Sequence, residues 1–374
     1  MFFIILVCDS SFYMQKQTSG TVRLLIDAIA LCVLLLFFRP KMPRVSFCMM
    51  LISLVLPLGW VTISGDVKQT IIICAATFVG WVLSISLSKE TILSFYGKAM
   101  SFLSVFSLVA LLVYTFFPAI IRSFPIAEQT SYLVSYNLFF SVVTQTGGIL
   151  RNYGIFWEPG AFAVFLCIAL WSELFFQKTN IKRVVLFVLT IISTFSTLGI
   201  LCSFVLVIAY LLHNKSINKT VRNLVILMFF VAILWVAFFG ERFIYEVFGK
   251  IANMNESATT RWNSFYYVGE LFLSAPFLGV GISDFLAFSD VNLSGMATFT
   301  FMNCLAMHGI FGLIPIVGVI RFFTKIETSY LSKAILLLFV GMLFATQAFE
   351  QVSFFYTLAF SGFMTMASPK RAEV

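Results

Sequence analysis

Arg151 and Glu158 lie seven residues apart in "RNYGIFWEPGAF" (151–162), just before a long apolar run. Residues of these types could do anion or proton chemistry. A guanidinium offers a planar fork of donors to a phosphate or carboxylate. A desolvated carboxylate can take up a proton near neutral pH. The plainer alternative is an ion pair that anchors a helix end. Ionisable groups at membrane spans are functional candidates by default because hydrocarbon penalises them. Further candidates are Arg122, Arg242, Arg261, Asn303 and His308, with Asp284 and Glu350 as outward-facing carboxylates behind them.

Local rules position the first pair. Pro159 disfavours helical geometry at Glu158 and suits the first helical position, so a helix should open at Pro159 with Glu158 as its cap. There the helix dipole favours a negative charge by a few tenths to about 1 kcal/mol. "YGIFW" (153–157) then reads as an external aromatic belt and approach loop.

The rest of the chain supplies the scaffold. Of 374 residues, 60% are hydrophobic and 11% charged, with mean hydropathy +1.01; soluble proteins carry about 25% charged residues. The fold expected is an all-α, polytopic membrane protein forming one domain over 1–374. A crossing needs about 20 apolar residues. Candidates are 2–14, 22–38, 45–64, 69–88, 99–117, 159–176, 223–239, 298–323, 331–349 and 352–368. The stretch 184–212 is too long for one upright helix, at about 44 Å. Basic clusters flank it on both sides (Lys178, Lys182, Arg183 and Lys215, Lys219, Arg222), and "STFSTLG" (193–199) sits in its middle. The positive-inside rule therefore predicts a hairpin of two short helices. The total is about twelve spans with both termini inside.

Two external segments, about 118–158 and 240–297, exceed what hairpins need, and long loops tend to be functional. Their aromatic and apolar content predicts interfacial helices. The net charge of +8 comes from Lys and Arg scattered in short loops, which excludes a nucleic-acid face. The N-terminus lacks a signal peptide's basic region and cleavage site. Seven cysteines lie in apolar stretches without a CxxC pair, so neither disulfides nor a metal site is expected.

"RNYGIFWEPGAFAVFL" (151–166) resembles a motif of the O-antigen polymerase and ligase superfamily, R-x-x-G-x-F-x-E-P opening a periplasmic-facing span. Three stretches resemble later motifs in the same order: "TLGILCSFVLVIA" (197–209), "RWNSFYYVGELFLSAPFLGVGISDF" (261–285) and "NCLAMHGIFGLI" (303–314). The resemblance spans roughly residues 140 to 320. Each motif alone is weak, and the first is the most specific.

The resemblance implies a metal-independent glycosyltransferase of the bacterial inner membrane, multi-pass, with its site facing the periplasm. Such enzymes move a glycan from a polyprenyl (undecaprenyl) pyrophosphate carrier onto an acceptor hydroxyl. No cofactor or metal is implied; the partners are the lipid-linked oligosaccharide, the bilayer and a chain-length regulator. Arg151 and Arg261 match the motif arginines that would hold the pyrophosphate. Arg122 and Arg242 are external but match no motif. Asn303 matches the late span, yet Met302 stands where many members carry histidine. That departure leaves His308 or Glu158 as base and favours a polymerase of repeat units over a ligase. A transporter of lipid-linked oligosaccharide is the alternative of a different class.

Overall fold

The computed structural model describes residues 11–12, 20–38, 43–64, 67–129, 133–138, 140–146, 149–176, 179–214, 256–293, 297–325, 330–345 and 347–364. Most of the N-terminal candidate 2–14, all of 223–239 and Arg242 lie outside these residues. The described chain is mainly helical. Helices α1 (Gly20–Phe38), α2 (Arg44–Ser64), α3 (Val67–Ser86), α4 (Lys89–Phe116) and the short α5 (Pro118–Arg122) precede a four-stranded sheet. After it come α6 (Pro159–Trp171), α7 (Ile181–Ser193), α8 (Thr197–His213), α9 (Glu256–Ser274) and α10 (Ile282–Asn292). The chain closes with α11 (Thr300–His308), α12 (Leu313–Thr324), α13 (Tyr330–Phe344) and α14 (Ser353–Phe363). Among the described residues, four segments are long and apolar enough to cross a membrane: Val67–Ser86, Lys89–Phe116, Pro159–Phe176 and Thr300–Thr324. The chain is thus built as a membrane-embedded helical protein.

Helix α6 is the central post. Every residue of it except Gly160 is buried, as befits a helix that is apolar all round. Tyr96 of α4 donates to the Phe165 carbonyl (2.6 Å). Phe165 stacks on Phe354 of α14 (5.7 Å between centroids), and Trp171 meets Phe323 of α12 (4.6 Å). Beyond Trp171 the helix widens into a π turn, Ser172–Phe176.

The stretch 184–212 folds as the expected hairpin. Asn180 caps α7 and Ser196 caps α8 with side-chain oxygens. Phe195, at φ 50, makes the reversal between them. Arg183 reaches Glu173 (2.8 Å) and Tyr210 packs on Phe175 (6.1 Å), so both free ends return to the C-terminal end of α6. Gly199 meets Ala163 at the opposite end, where an added Cβ would lie 2.5 Å from the alanine's.

The segment 118–158 corrects the expectation of interfacial helices. Apart from α5 it is an antiparallel meander of β1 (Ile126–Gln129), β2 (Leu133–Asn137), β3 (Val142–Thr146) and β4 (Ile149–Asn152), in that spatial order. The register places Ser135 opposite Thr144 and Thr144 opposite Arg151. The reason is periodicity. "LVSYN" and "VVTQT" are β-branched and aromatic with a period near two, which suits a pleated surface. The segment 240–297 does contain helices, α9 and α10, within its described part.

Candidate functional site

Strand β4 ends in Arg151 and Asn152, and the two side chains clasp the hairpin turn. Asn152 donates to Ser107 (3.1 Å) and Ser193 (3.0 Å), while its own oxygen accepts from the Gly154 amide (3.0 Å). Arg151 donates from Nε to the Thr194 carbonyl (3.2 Å) and from Nη2 to the Phe195 carbonyl (3.3 Å). A cation at the last carbonyls of α7 is favourable because a helix C-terminus carries partial negative charge. Half-buried, Arg151 thus holds the turn between α7 and α8.

The loop 153–157 is not an external belt. Tyr153, Ile155 and Phe156 are buried. Phe156 stacks on Phe162 (5.4 Å) and Phe165 (4.4 Å), and the Phe12 amide donates to the Ile155 carbonyl (2.7 Å). Their apolar faces are worth more inside the bundle than at its rim. Only Trp157 and Glu158 come partly to the surface. Glu158 caps α6 with extended backbone (φ −159, ψ 161), Pro159 follows at the first helical position, and the carboxylate makes no capping bond.

Trp157 leads inward to a polar cluster. Its indole donates to Gln347 (3.1 Å), whose amide also lies against Gly160. Thr300, at the start of α11, donates to the Gln347 carbonyl and accepts from the Phe349 amide (3.0 Å). Asn303 donates to the Ala297 carbonyl (2.9 Å) and to Glu350 Oε1 (3.0 Å). Glu350 is 1% exposed; it sits in the turn between α13 and α14 and does not face outward as its sequence position suggested. Burial pushes its carboxyl up to about 7, with the Asn303 hydrogen bond acting the other way. Arg23 of α1 donates to the neighbouring Gln351 carbonyl. Arg23, Gln347 and the burial of Glu350 were missed in the sequence. The available signal was "TQAFEQ" (346–351), four polar side chains between two apolar runs.

The remaining candidates fall elsewhere. His308 ends α11 and lines a small cavity with Ser53, Pro57, Phe311, Pro315 and Tyr356. Five residues beyond Asn303, it points about 140° around the helix from it. Arg122 is exposed at the end of α5, and Asp284 is exposed in the first turn of α10. Arg261 lies on α9. His213 ends α8, the helix whose Tyr210 packs against the π turn, far along α6 from Glu158. Two of the quoted motifs interlock: Val280 and Gly281 donate to the Ala306 and Met307 carbonyls (2.9 and 3.2 Å). Gly279 (φ 74) and Gly281 (φ 84) supply the left-handed backbone for that fit.

Among the described residues no three of His, Cys, Asp and Glu converge to hold a metal. Comparison with family models, with curated proteins and with solved structures gives no match for the chain.

Proposed function

We propose that this chain is a polymerase of lipid-linked repeat units. It would transfer a glycan from polyprenyl pyrophosphate to the acceptor hydroxyl of another lipid-linked unit, at the outer face of a bacterial inner membrane. The acceptor oxygen would bond to the anomeric carbon as the bond to the pyrophosphate oxygen breaks. Glu158 would take the hydroxyl proton. Arg151 and Arg261 would meet the charge that grows on the pyrophosphate, the role for which preorganised cations are most effective.

The observation that carries this reading is the arrangement of the Arg-to-Glu-Pro segment. Arg151 and Glu158 bracket a buried aromatic loop, and Glu158 comes partly to the surface at the head of α6, where a substrate could meet it. His308, enclosed by α2, α12 and α14, is the weaker base.

The test is reconstitution of the purified chain with a lipid-linked repeat unit, read as a glycan ladder. A ladder that shrinks to single units with Glu158→Gln, by a factor of about 100 or more in rate, supports the reading. Polymer transferred instead to a lipid A-core acceptor would indicate a ligase. Flipping of the unit without any new glycosidic bond would indicate a transporter. Full activity of Glu158→Gln would remove Glu158 as base.

A further inference from the structure

At the turn between α13 and α14 two acceptor oxygens lack a donor. Glu350 Oε2 and Asn303 Oδ1 are buried without a hydrogen-bond partner among the described residues. They belong to side chains already joined, since Asn303 Nδ2 donates to Glu350 Oε1 (3.0 Å). The second amide hydrogen goes to the Ala297 carbonyl (2.9 Å). Turning the amide round would set its oxygen against that carbonyl, so the orientation is fixed. Each orphaned buried polar atom costs about 1–3 kcal/mol. One proton on Oε2, donated to Oδ1, removes both orphans. The two side chains then meet as carboxylic acid and amide, each donating once to the other.

The pair fastens α11 to a turn that also holds the Glu158 loop. Thr300, three residues before Asn303 and so on the same face of α11, donates to the Gln347 carbonyl and accepts from the Phe349 amide (3.0 Å). On its other side the turn grips Trp157. Gln347 accepts from the indole (3.1 Å), and Phe349 meets the Trp157 ring (5.9 Å) and Phe165 (5.6 Å). Other ionisable groups surround the carboxyl without bonding to it. Helix α11 brings Cys304, α14 brings Tyr356 and α3 brings Cys74. From α1 Arg23 reaches the adjoining Gln351 carbonyl, with Asp27 buried one turn further on. Across Gln347 and Trp157 lies Glu158, and α9 keeps Glu270 exposed beside Tyr266. His308 faces its own cavity.

We propose that Glu350 and Asn303 form a proton-operated latch between α11 and the turn that positions the Trp157–Glu158 loop. With the proton in place, the acid–amide ring closes α11 onto the turn. When the proton leaves to water, a buried carboxylate is set against an amide oxygen with no donor between them. The turn then lets go of Asn303, and the hold of Gln347 and Phe349 on Trp157 slackens. Burial raises the carboxyl to about 7, so the latch is shut below that pH and open above it. It is independent of the glycan-transfer reading, because it is read at Trp157 without any substrate.

The test is a pH titration of the purified full chain in detergent, read as the tryptophan fluorescence that is lost in Trp157→Phe. One transition with its midpoint near 7 is expected in the wild type. Glu350→Gln offers Asn303 the same two bonds through an amide that does not titrate. Its signal should stay at the wild type's low-pH value throughout. Asn303→Leu removes the ring and should hold the signal at the high-pH value. A second measurement needs no variant of Asn303: the infrared carbonyl band of a protonated carboxyl should fade over the same transition and be missing in Glu350→Gln. A Trp157 signal that is flat in the wild type, or that titrates alike in Glu350→Gln, would overturn the latch. A protonated carboxyl that titrates without any response at Trp157 would overturn it as well, leaving a buried acid that moves nothing.

Discussion

The two ends of α6 solve opposite problems. At its C-terminal end the cations are held. Arg183 meets Glu173 (2.8 Å), and Lys325 donates to the Met364 carbonyl (3.1 Å). Lys89 donates to the Phe322 carbonyl (2.7 Å) and lies over the Phe322 ring (3.9 Å) with Trp171 and Phe176 nearby. One oxygen of Glu173 is left over. At the N-terminal end the surplus runs the other way: acceptors gather around Glu350 and donors run short. The first end pairs its charges with partners close by. The second buries Glu350 against Asn303 with acceptor oxygens left over, and through Gln347 and Trp157 it borders the loop carrying Glu158.

The comparison breaks most visibly at the anchored end. Arg183→Leu strands Glu173, which is 1% exposed, and leaving a buried charge unpaired costs about 3–5 kcal/mol. Because Arg183 is 30% exposed, the expected loss is at the low end, about 3 kcal/mol. Denaturant unfolding in detergent measures it; a loss below about 1 kcal/mol would make the pair a surface contact.

The opposite end should respond in the opposite sense. Above pH 7, Glu350→Gln adds donors where acceptors are in surplus and should stabilise by about 1 kcal/mol. The wild type should also show a pH signature. The folded carboxyl stands near 7 against an ordinary 4.5, so the fold holds its proton more tightly than the unfolded chain does. Its contribution is full below pH 4.5, is lost as pH rises through about 7, and is flat above. The thermal midpoint should fall across that window in the wild type and not in Glu350→Gln. Equal slopes in both proteins would remove Glu350 as the cause. The smallest effect is expected from Lys89→Met, which keeps the apolar stem and loses the ring contact together with the hydrogen bond to the Phe322 carbonyl. About 0.5–1 kcal/mol should go, and a loss above 2 kcal/mol would show Lys89 to be more than an anchor.

Sequence logic reached some of this and missed the rest for identifiable reasons. Glu158 and Pro159 were legible because capping and proline geometry act within three residues. The hairpin in 184–212 was legible because charge flanks it and a Ser/Thr/Gly stretch interrupts it. The sheet was not: its aromatic content suggested helices on the membrane surface, and the short alternation in "VVTQT" was overlooked. Glu350 was illegible for another reason. Its burial depends on Asn303, 47 residues away, and on where α11 begins, neither of which is encoded near Glu350. Arg151 shows both limits at once. Its residue type announced a cation that must find acceptors, while the carbonyl partners at Thr194 and Phe195 come from a turn 43 residues on.

Helices α13 and α14 have 15 and 11 residues, lengths of about 22 and 16 Å. A bilayer's hydrocarbon layer is about 30 Å thick. Neither helix, over its described residues, is among the four segments long and apolar enough to cross. Packed as a pair they would suit a thin bilayer better than a thick one, because each ångström of mismatch costs a fraction of a kcal/mol.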